Sequence, residues 1–458
     1  MAAELEQTEQ AVYSSASSAR TIPNDDPAYA IDEESKKTEA EDGEKDVAVE
    51  KVESAPVFDV GEFPDGGLRA WLVVLGCAAG TCATFGLVNA WGVFQAYYTT
   101  TILKGTSPST IAWIGSIQYA LVFIPGLVVG RIFDMGYVKL PLGLASALLV
   151  TATFLTAECK EYWQFLLCQG IAIGLACGTI FGILMGAPAH WFKRKLGRAF
   201  GVMALGSSIA GTVHPIIVKN LIQSVGFPWT LRVLGFIEIV LLAIQFATVE
   251  RRLPPKAHTG PFLDFSVFKN VSFTLYTTSA FTAFLGLYTV LTYIDVNAVS
   301  IGINEDLAFY LLSIANACSA VGRIAGGLLA DRAGPLNIMT PATLVAGVMT
   351  YVWPFANSVG GNIAVAIVYG ASSGVFVSLL STPIVRMGRM EDVGVRVGMC
   401  FTVMALSAVA GPPISGAIND ATGGFKFTGI YAGSTVMAAV VFLMMTRMSL
   451  LGGLWGRC

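Results

Sequence analysis

"GGLLADRAG", residues 326–334, closes a long apolar run with an aspartate, an arginine and a glycine, and "GLVVGRIFDMG", residues 126–136, closes another in a similar way. Asp331 lies 197 positions after Asp134 (331 minus 134), and each follows a glycine by four residues, Gly327 and Gly130. Further matches follow in the same order. "GLACG" at 174–178 answers "GASSG" at 370–374, Pro188 answers Pro383, and "VMAL" at 202–205 recurs at 403–406. Matches in order at a nearly constant offset point to a duplicated unit.

The duplicated material is apolar. The 458 residues are 54% hydrophobic and 13% charged, against roughly 25% charged in a soluble chain. From Trp71 onward, runs of about 20 apolar residues follow one another, each long enough to cross a hydrocarbon layer of about 30 Å as a helix. Twelve are predicted: 70–98, 110–130, 138–157, 163–186, 198–219, 230–249, 270–294, 307–330, 337–357, 362–385, 396–418 and 427–447. With the repeat, they give an all-α integral membrane protein of two six-helix bundles in parallel orientation, related by an axis along the membrane normal. The expected bundles are 67–249 and 270–449, joined by a polar cytoplasmic linker at 250–269 and followed by a short tail at 450–458.

Residues 1–69 hold 18 Asp and Glu against 6 Lys and Arg. Residues 1–66 are expected to form a disordered, acidic cytoplasmic tail, because so charged a segment with few large apolar residues cannot bury a core. It lacks the apolar stretch of a secretory signal. With the N-terminus inside, and Arg323 assigned to neither side, 16 basic residues after the first helix fall on the cytoplasmic side. Five fall outside: Lys104, Lys160, Lys219, Arg232 and Lys426. Both termini are therefore expected in the cytoplasm. The single sequon, Asn270 to Ser272, sits at the inner end of helix 7 and is not expected to carry glycan. The eight cysteines form no Cys-x-x-Cys pair and read as packing residues, with no metal or cofactor site.

The chain resembles the major facilitator superfamily, whose Gly-x-x-x-Asp-Arg/Lys-x-Gly signature lies between helices 2 and 3 and again between helices 8 and 9. The second copy here has Gly327, Asp331, Arg332 and Gly334. The first keeps Gly130 and Asp134, but Met135 replaces the basic residue and the glycine comes one place early, at Gly136. "PDGGLRAW" at 64–71 and "WFKRKLGRAFGVMALG" at 191–206 resemble the monocarboxylate porter family, and its fungal branch in particular. The resemblance implies halves that rock about a midplane site, with the motifs of Asp134 and Asp331 forming a cytoplasmic gating latch in which Asp331 accepts hydrogen bonds from helix N-termini.

Charges inside helices are costly and mark candidate sites. Arg323 stands eight residues, about 12 Å, from Asp331. In the resembling family a helix 8 arginine binds the substrate carboxylate, with an aspartate four residues earlier and a lysine in helix 1. Ser319 and Asn89 occupy those places here, which implies a bulkier or less highly charged solute than a short monocarboxylate. Asn316, Tyr288 and Gln118 are further candidates for the cavity wall. His214, Glu238 and Asp295 are candidates for carrying a proton. Gly170, Gly174, Gly178, Gly182 and Gly186 recur every fourth residue along helix 4 and predict close approach of another helix, within the bundle or across a dimer seam. A monomer is the simpler expectation.

The sequence has no phosphate-binding Gly-x-x-x-x-Gly-Lys-Ser/Thr loop and no His-Glu-x-x-His, and its one Gly-x-Ser-x-Gly match, "GASSG" at 370–374, lies inside the apolar run 362–385 and not at a strand-to-helix turn, so it lacks the usual sites of an ATP-driven pump or a hydrolase. Nothing in it points to nucleic acid. The leading expectation is a proton-coupled secondary transporter of the plasma membrane for an organic acid or acidic natural product, working by efflux. Uptake of a monocarboxylate or vitamin, or non-transporting nutrient sensing, are the alternatives.

Overall fold

A computed structural model describes residues 63–254, 264–389, 392–451 and 456. The expected acidic tail up to residue 62, residues 255–263 of the linker and most of the C-terminal tail lie outside the described residues. Among these, twelve helices are long and apolar enough to cross a membrane: α1 Leu68–Ile102, α2 Thr110–Asp134, α3 Lys139–Thr156, α4 Tyr162–His190, α5 Leu196–Val225, α6 Phe227–Thr248, α7 Val271–Ser300, α8 Glu305–Ala333, α9 Pro335–Phe355, α10 Val359–Arg386, α11 Val393–Thr422 and α12 Phe425–Leu451.

Several helices exceed their apolar runs. α5 continues past 219 to Val225, α7 past 294 to Ser300, and α11 begins at Val393 rather than 396. An apolar window stops at the first polar residues, whereas the backbone keeps its internal hydrogen bonds until a cap replaces them. Asn304 is such a cap: its Oδ1 accepts the Asp306 amide at the start of α8. Asn270 of the sequon caps α7 by accepting the Phe273 amide.

The packing repeats as the sequence does. α1 packs on α5 and α6, α2 on α4, and α3 on α6; shifted by six helices, α7 packs on α11 and α12, α8 on α10, and α9 on α12. Large apolar side chains such as Leu140, Leu144, Val240, Val321 and Leu406 lie exposed on the perimeter, where hydrocarbon would cover them. The glycine ladder of α4 is used internally, against α2. A Cβ on Gly178 would stand 2.0 Å from the Leu121 carbonyl oxygen, one on Gly182 would press on Val129, and one on Gly186 on Phe133. These helices approach so closely because the ladder has no side chains.

Candidate functional site

Two seams join the first six helices to the last six, α2 against α11 and α5 against α8. Both are lined by glycine. A Cβ on Gly130 would stand 2.2 Å from the Gly394 carbonyl oxygen, and one on Gly394 would stand 2.2 Å from that of Gly130. In the other seam Gly197 and Gly327 face each other's carbonyls at 2.7 and 2.4 Å on the same measure. Gly394 follows Gly197 by 197 residues, the spacing of the two aspartates. α5 and α11 are each 30 residues long, so no insertion separates them. The "VMAL" match at offset 201 is therefore one helical turn out of register, and the glycine contacts fix the true alignment of the halves.

Each aspartate sits at the end of these seams that carries the α2–α3 and α8–α9 connections, called here the basic end. Asp331 accepts the Gly197 amide at 2.7 Å and the Arg198 amide at 3.2 Å. Asp134 accepts the Gly394 amide at 3.1 Å and the Val395 amide at 3.0 Å. These are first-turn amides without an intrahelical acceptor, and they form the positive end of the helix dipole. Each carboxylate thus caps a helix of the opposite half. Gly136 at φ 98° and Gly334 at φ 97° make equivalent left-handed turns after the two motifs, so the shifted glycine of the first copy does the same work. Arg332 is exposed, and Arg198 Nε lies 3.1 Å from Asp331 instead. In the first copy, where Met135 replaces the basic residue, Arg251 donates to the Phe133 and Asp134 carbonyls. Asp65 of the "PDGG" stretch accepts the amides of Lys193, Arg194 and Lys195 at 2.8, 2.7 and 3.1 Å, fixing the chain just before α5.

Between the halves lies a cavity enclosing about 850 Å³ of empty space, its open part included. Asn89, Tyr288, Asn316, Ser319 and Arg323 all line it, beside Phe85, Phe123, Phe181 and Phe284. Asn316, Ser319 and Arg323 share a wall because spacings of three and four place them on one face of α8. Phe181 stacks on Phe401 of the other half at 5.5 Å between ring centroids, and Phe123 meets Phe284 and Phe401 edge-on at 5.7 and 6.0 Å. An aromatic layer thus bridges the halves beside the cavity.

Arg323 is buried, and its bonds are uneven. Nε donates to Ser319 Oγ at 3.1 Å, and Nη1 to the Ala204 carbonyl at 2.6 Å and to Ser207 Oγ. Among the described residues Nη2 has no hydrogen-bond partner and no carboxylate lies within ion-pair distance of the guanidinium. Further along α5, Pro215 has no N–H to give Gly211, four residues before it, and Asn316 Nδ2 donates to that carbonyl at 3.3 Å. A Cβ on Gly211 would stand about as close to Asn89 Nδ2, 3.1 Å, as to Asn316, so both amides meet there. A buried cation without a counter-charge, edged by amides and hydroxyls and walled by aromatic rings, can hold an organic anion with a large apolar face.

The remaining candidates stand elsewhere. Gln118 is not among the cavity-lining residues; it is buried where α2 lies against Gly174 of α4. His214 is buried with its ring against Gly86 of α1. Glu238 is fully buried within the first half, where it accepts Thr153 Oγ1 at 2.9 Å. Asp295 accepts the Val296 amide near the far end of α7. Ser207 and the Ala204 carbonyl were not foreseen: a backbone acceptor leaves no mark in a sequence, and one serine in "LGSS" looks like another.

Comparison with known proteins agrees with this geometry. The profile described as Major Facilitator Superfamily matches residues 76–388. The chain is 36% identical over 404 residues to "MFS-type transporter 1" of an Ophiocordyceps species, covering 86% of this chain and 89% of the relative. It is 34% identical to the "Aspyridones efflux protein apdF" of Emericella nidulans, covering 84% and 79%. To the "Agnestins efflux protein AgnL12" of Paecilomyces divaricatus it is 31% identical, covering 84% and 89%. Among solved structures, a Major Facilitator Superfamily transporter, FucP, in the outward conformation superposes with TM-score 0.65 at 14% identity, covering 82% of this chain and 99% of that one.

Proposed function

The chain belongs to the Major Facilitator Superfamily, and from that premise we propose that it exports an acidic organic metabolite by alternating access, coupled to the entry of protons. The observation that carries this reading is Arg323, a buried guanidinium with Nη2 unpartnered in a cavity walled by phenylalanines. Burying a charge without a partner is costly, and an anionic ligand supplies the missing partner. The names of relatives that export aspyridones and agnestins support outward transport of natural products. Asn89 and Ser319, in place of the charges expected from the porter family, favour a solute larger than a short monocarboxylate.

In this reading the basic end faces the cytoplasm, as do both termini, and the structure is the state closed on that side. Asp134 and Asp331 latch it, and rocking of the halves withdraws each carboxylate from the helix it caps. The proton carrier is His214, which lies one turn along α5 from Gly211, where Asn89 and Asn316 meet. Glu238, enclosed within one half, is the weaker choice.

Proteoliposomes with an imposed pH gradient test the proposal, with benzoate as a probe anion beside the acidic metabolites that deletion cells retain. Arg323→Ala is expected to reduce flux at least tenfold, and Arg323→Lys, which keeps charge but loses the planar fork, to fall between. Equal flux in wild type and Arg323→Ala removes the anion site. Gradient-driven accumulation that survives His214→Gln removes the assignment of the proton carrier.

A further inference from the structure

The α5–α8 seam is tied along the whole depth of the bundle. From the basic end outward, Asp331 caps Gly197 and Arg198, Arg323 holds Ala204 and Ser207, Ser208 donates to Ser319 at 3.4 Å, and Asn316 holds Gly211. At the opposite end Lys219 Nζ lies 2.9 Å from Asp306. Each tie joins the first half to the second. Between the end contacts, the ties made by Ser208 and Asn316 are long, and Arg323 makes the short ones. It does so with the group that the proposed substrate needs.

A guanidinium has five N–H donors. Ser319 takes the one on Nε, and α5 takes both on Nη1. A carboxylate docks through two parallel N–H groups from neighbouring nitrogens, and Nη2 can supply only one of that pair. End-on docking needs a donor on Nη1, which is held by the opposite half. Resting on the assignment of Arg323 as the anion site, we infer that Ser207 and the Ala204 carbonyl are placeholders for the substrate's oxygens. Binding then exchanges a tie between the halves for a tie to the solute. Ser207 completes the arrangement by donating its own proton to the Ala204 carbonyl at 2.9 Å, which leaves its lone pairs turned to Nη1. An empty carrier is biased toward the zipped state along α5–α8 and rocks more slowly, and an occupied one is released to rock. Ser207 is thus a positioning residue that makes movement faster with cargo.

Full-length protein in nanodiscs tests this with two readouts. The first is hydrogen exchange without ligand at the Gly197 and Arg198 amides; the second is benzoate affinity by thermal shift. Ser207→Ala is expected to speed exchange and to tighten benzoate binding, each by roughly tenfold, the scale of one hydrogen bond to a charged group. Ser207→Thr, which keeps the hydroxyl, is expected to restore both. Weaker benzoate binding in Ser207→Ala makes the serine a substrate ligand and overturns the inference, as does unchanged exchange or unchanged affinity. Benzoate binding that is equal in wild type and Arg323→Ala, or absent from both, overturns the anion-site reading itself. That outcome is separate from one in which Arg323 matters and Ser207 does not.

Discussion

Gly130→Ala is expected to part the α2–α11 seam at the helix end that Asp134 caps. The new Cβ would sit 2.2 Å from the Gly394 carbonyl oxygen, and even a tight contact of 3.0 Å requires the helices to part by 0.8 Å. The obstacle is backbone, so no side chain can swing aside. Adding that separation to the Asp134 hydrogen bonds, at 3.1 and 3.0 Å, gives about 3.8 to 3.9 Å, beyond hydrogen-bonding range. A bond to a charged group contributes about 1.5 to 3 kcal/mol, so losing even one shifts the balance of open and closed seams by about tenfold or more. The assay is hydrogen exchange at Gly394 and Val395, whose first-turn amides have Asp134 as acceptor in place of a helix carbonyl. Exchange there is expected to rise at least tenfold. Gly92→Ala, where an added Cβ meets nothing within 4 Å, is expected to leave it unchanged. Equal protection at Gly394 and Val395 in Gly130→Ala and wild type would refute the view that glycine contact sets the capping distance.

Two further expectations concern the frame around the site. Pro215→Ala restores an amide that competes with Asn316 for the Gly211 carbonyl and removes a helix penalty of about 3 kcal/mol. It should raise Tm and slow transport, and a variant that matches wild type in both shows that Asn316 gains nothing from the proline. Arg69 hydrogen-bonds Glu250 and holds its carboxyl below the ordinary range. A lowered carboxyl contributes stability that is complete above its unfolded pKa of about 4.3 and is lost as pH falls through the folded value. The Tm gap between wild type and Arg69→Gln should therefore hold steady down to about pH 5 and close at lower pH; a gap that persists in acid assigns the effect to packing.

The twelve helices and the duplication were legible because length, apolarity and a recurring Gly-x-x-x-Asp are properties of the chain itself. The register of the repeat was not. "VMAL" recurs at an offset of 201 (403 minus 202), whereas the glycines at 197 and 394 fix the alignment of α5 with α11 at 197 through contacts with another helix. Asn316, Ser319 and Arg323 could be grouped by helical spacing once one of them was suspected. Gln118 could not be placed, because α2 up to Phe123 is apolar all round and carries no stripe to reveal its inward face. Pro215 was the overlooked signal: a proline inside a long helix frees a carbonyl, and here α8 uses it.

In electrical terms, the empty cavity holds a single positive charge about 12 Å, eight residues of helix, from the capped end of the α5–α8 seam. A charge carried through a full 100 mV gains or loses about 2.3 kcal/mol, and carriage through part of the field scales that figure down. A bound monoanion cancels Arg323, so the membrane field acts little on the loaded carrier and directly on the unloaded one. In the proposed cycle Arg323 thereby makes the return stroke the voltage-sensitive half, and turnover at saturating substrate should follow the membrane potential.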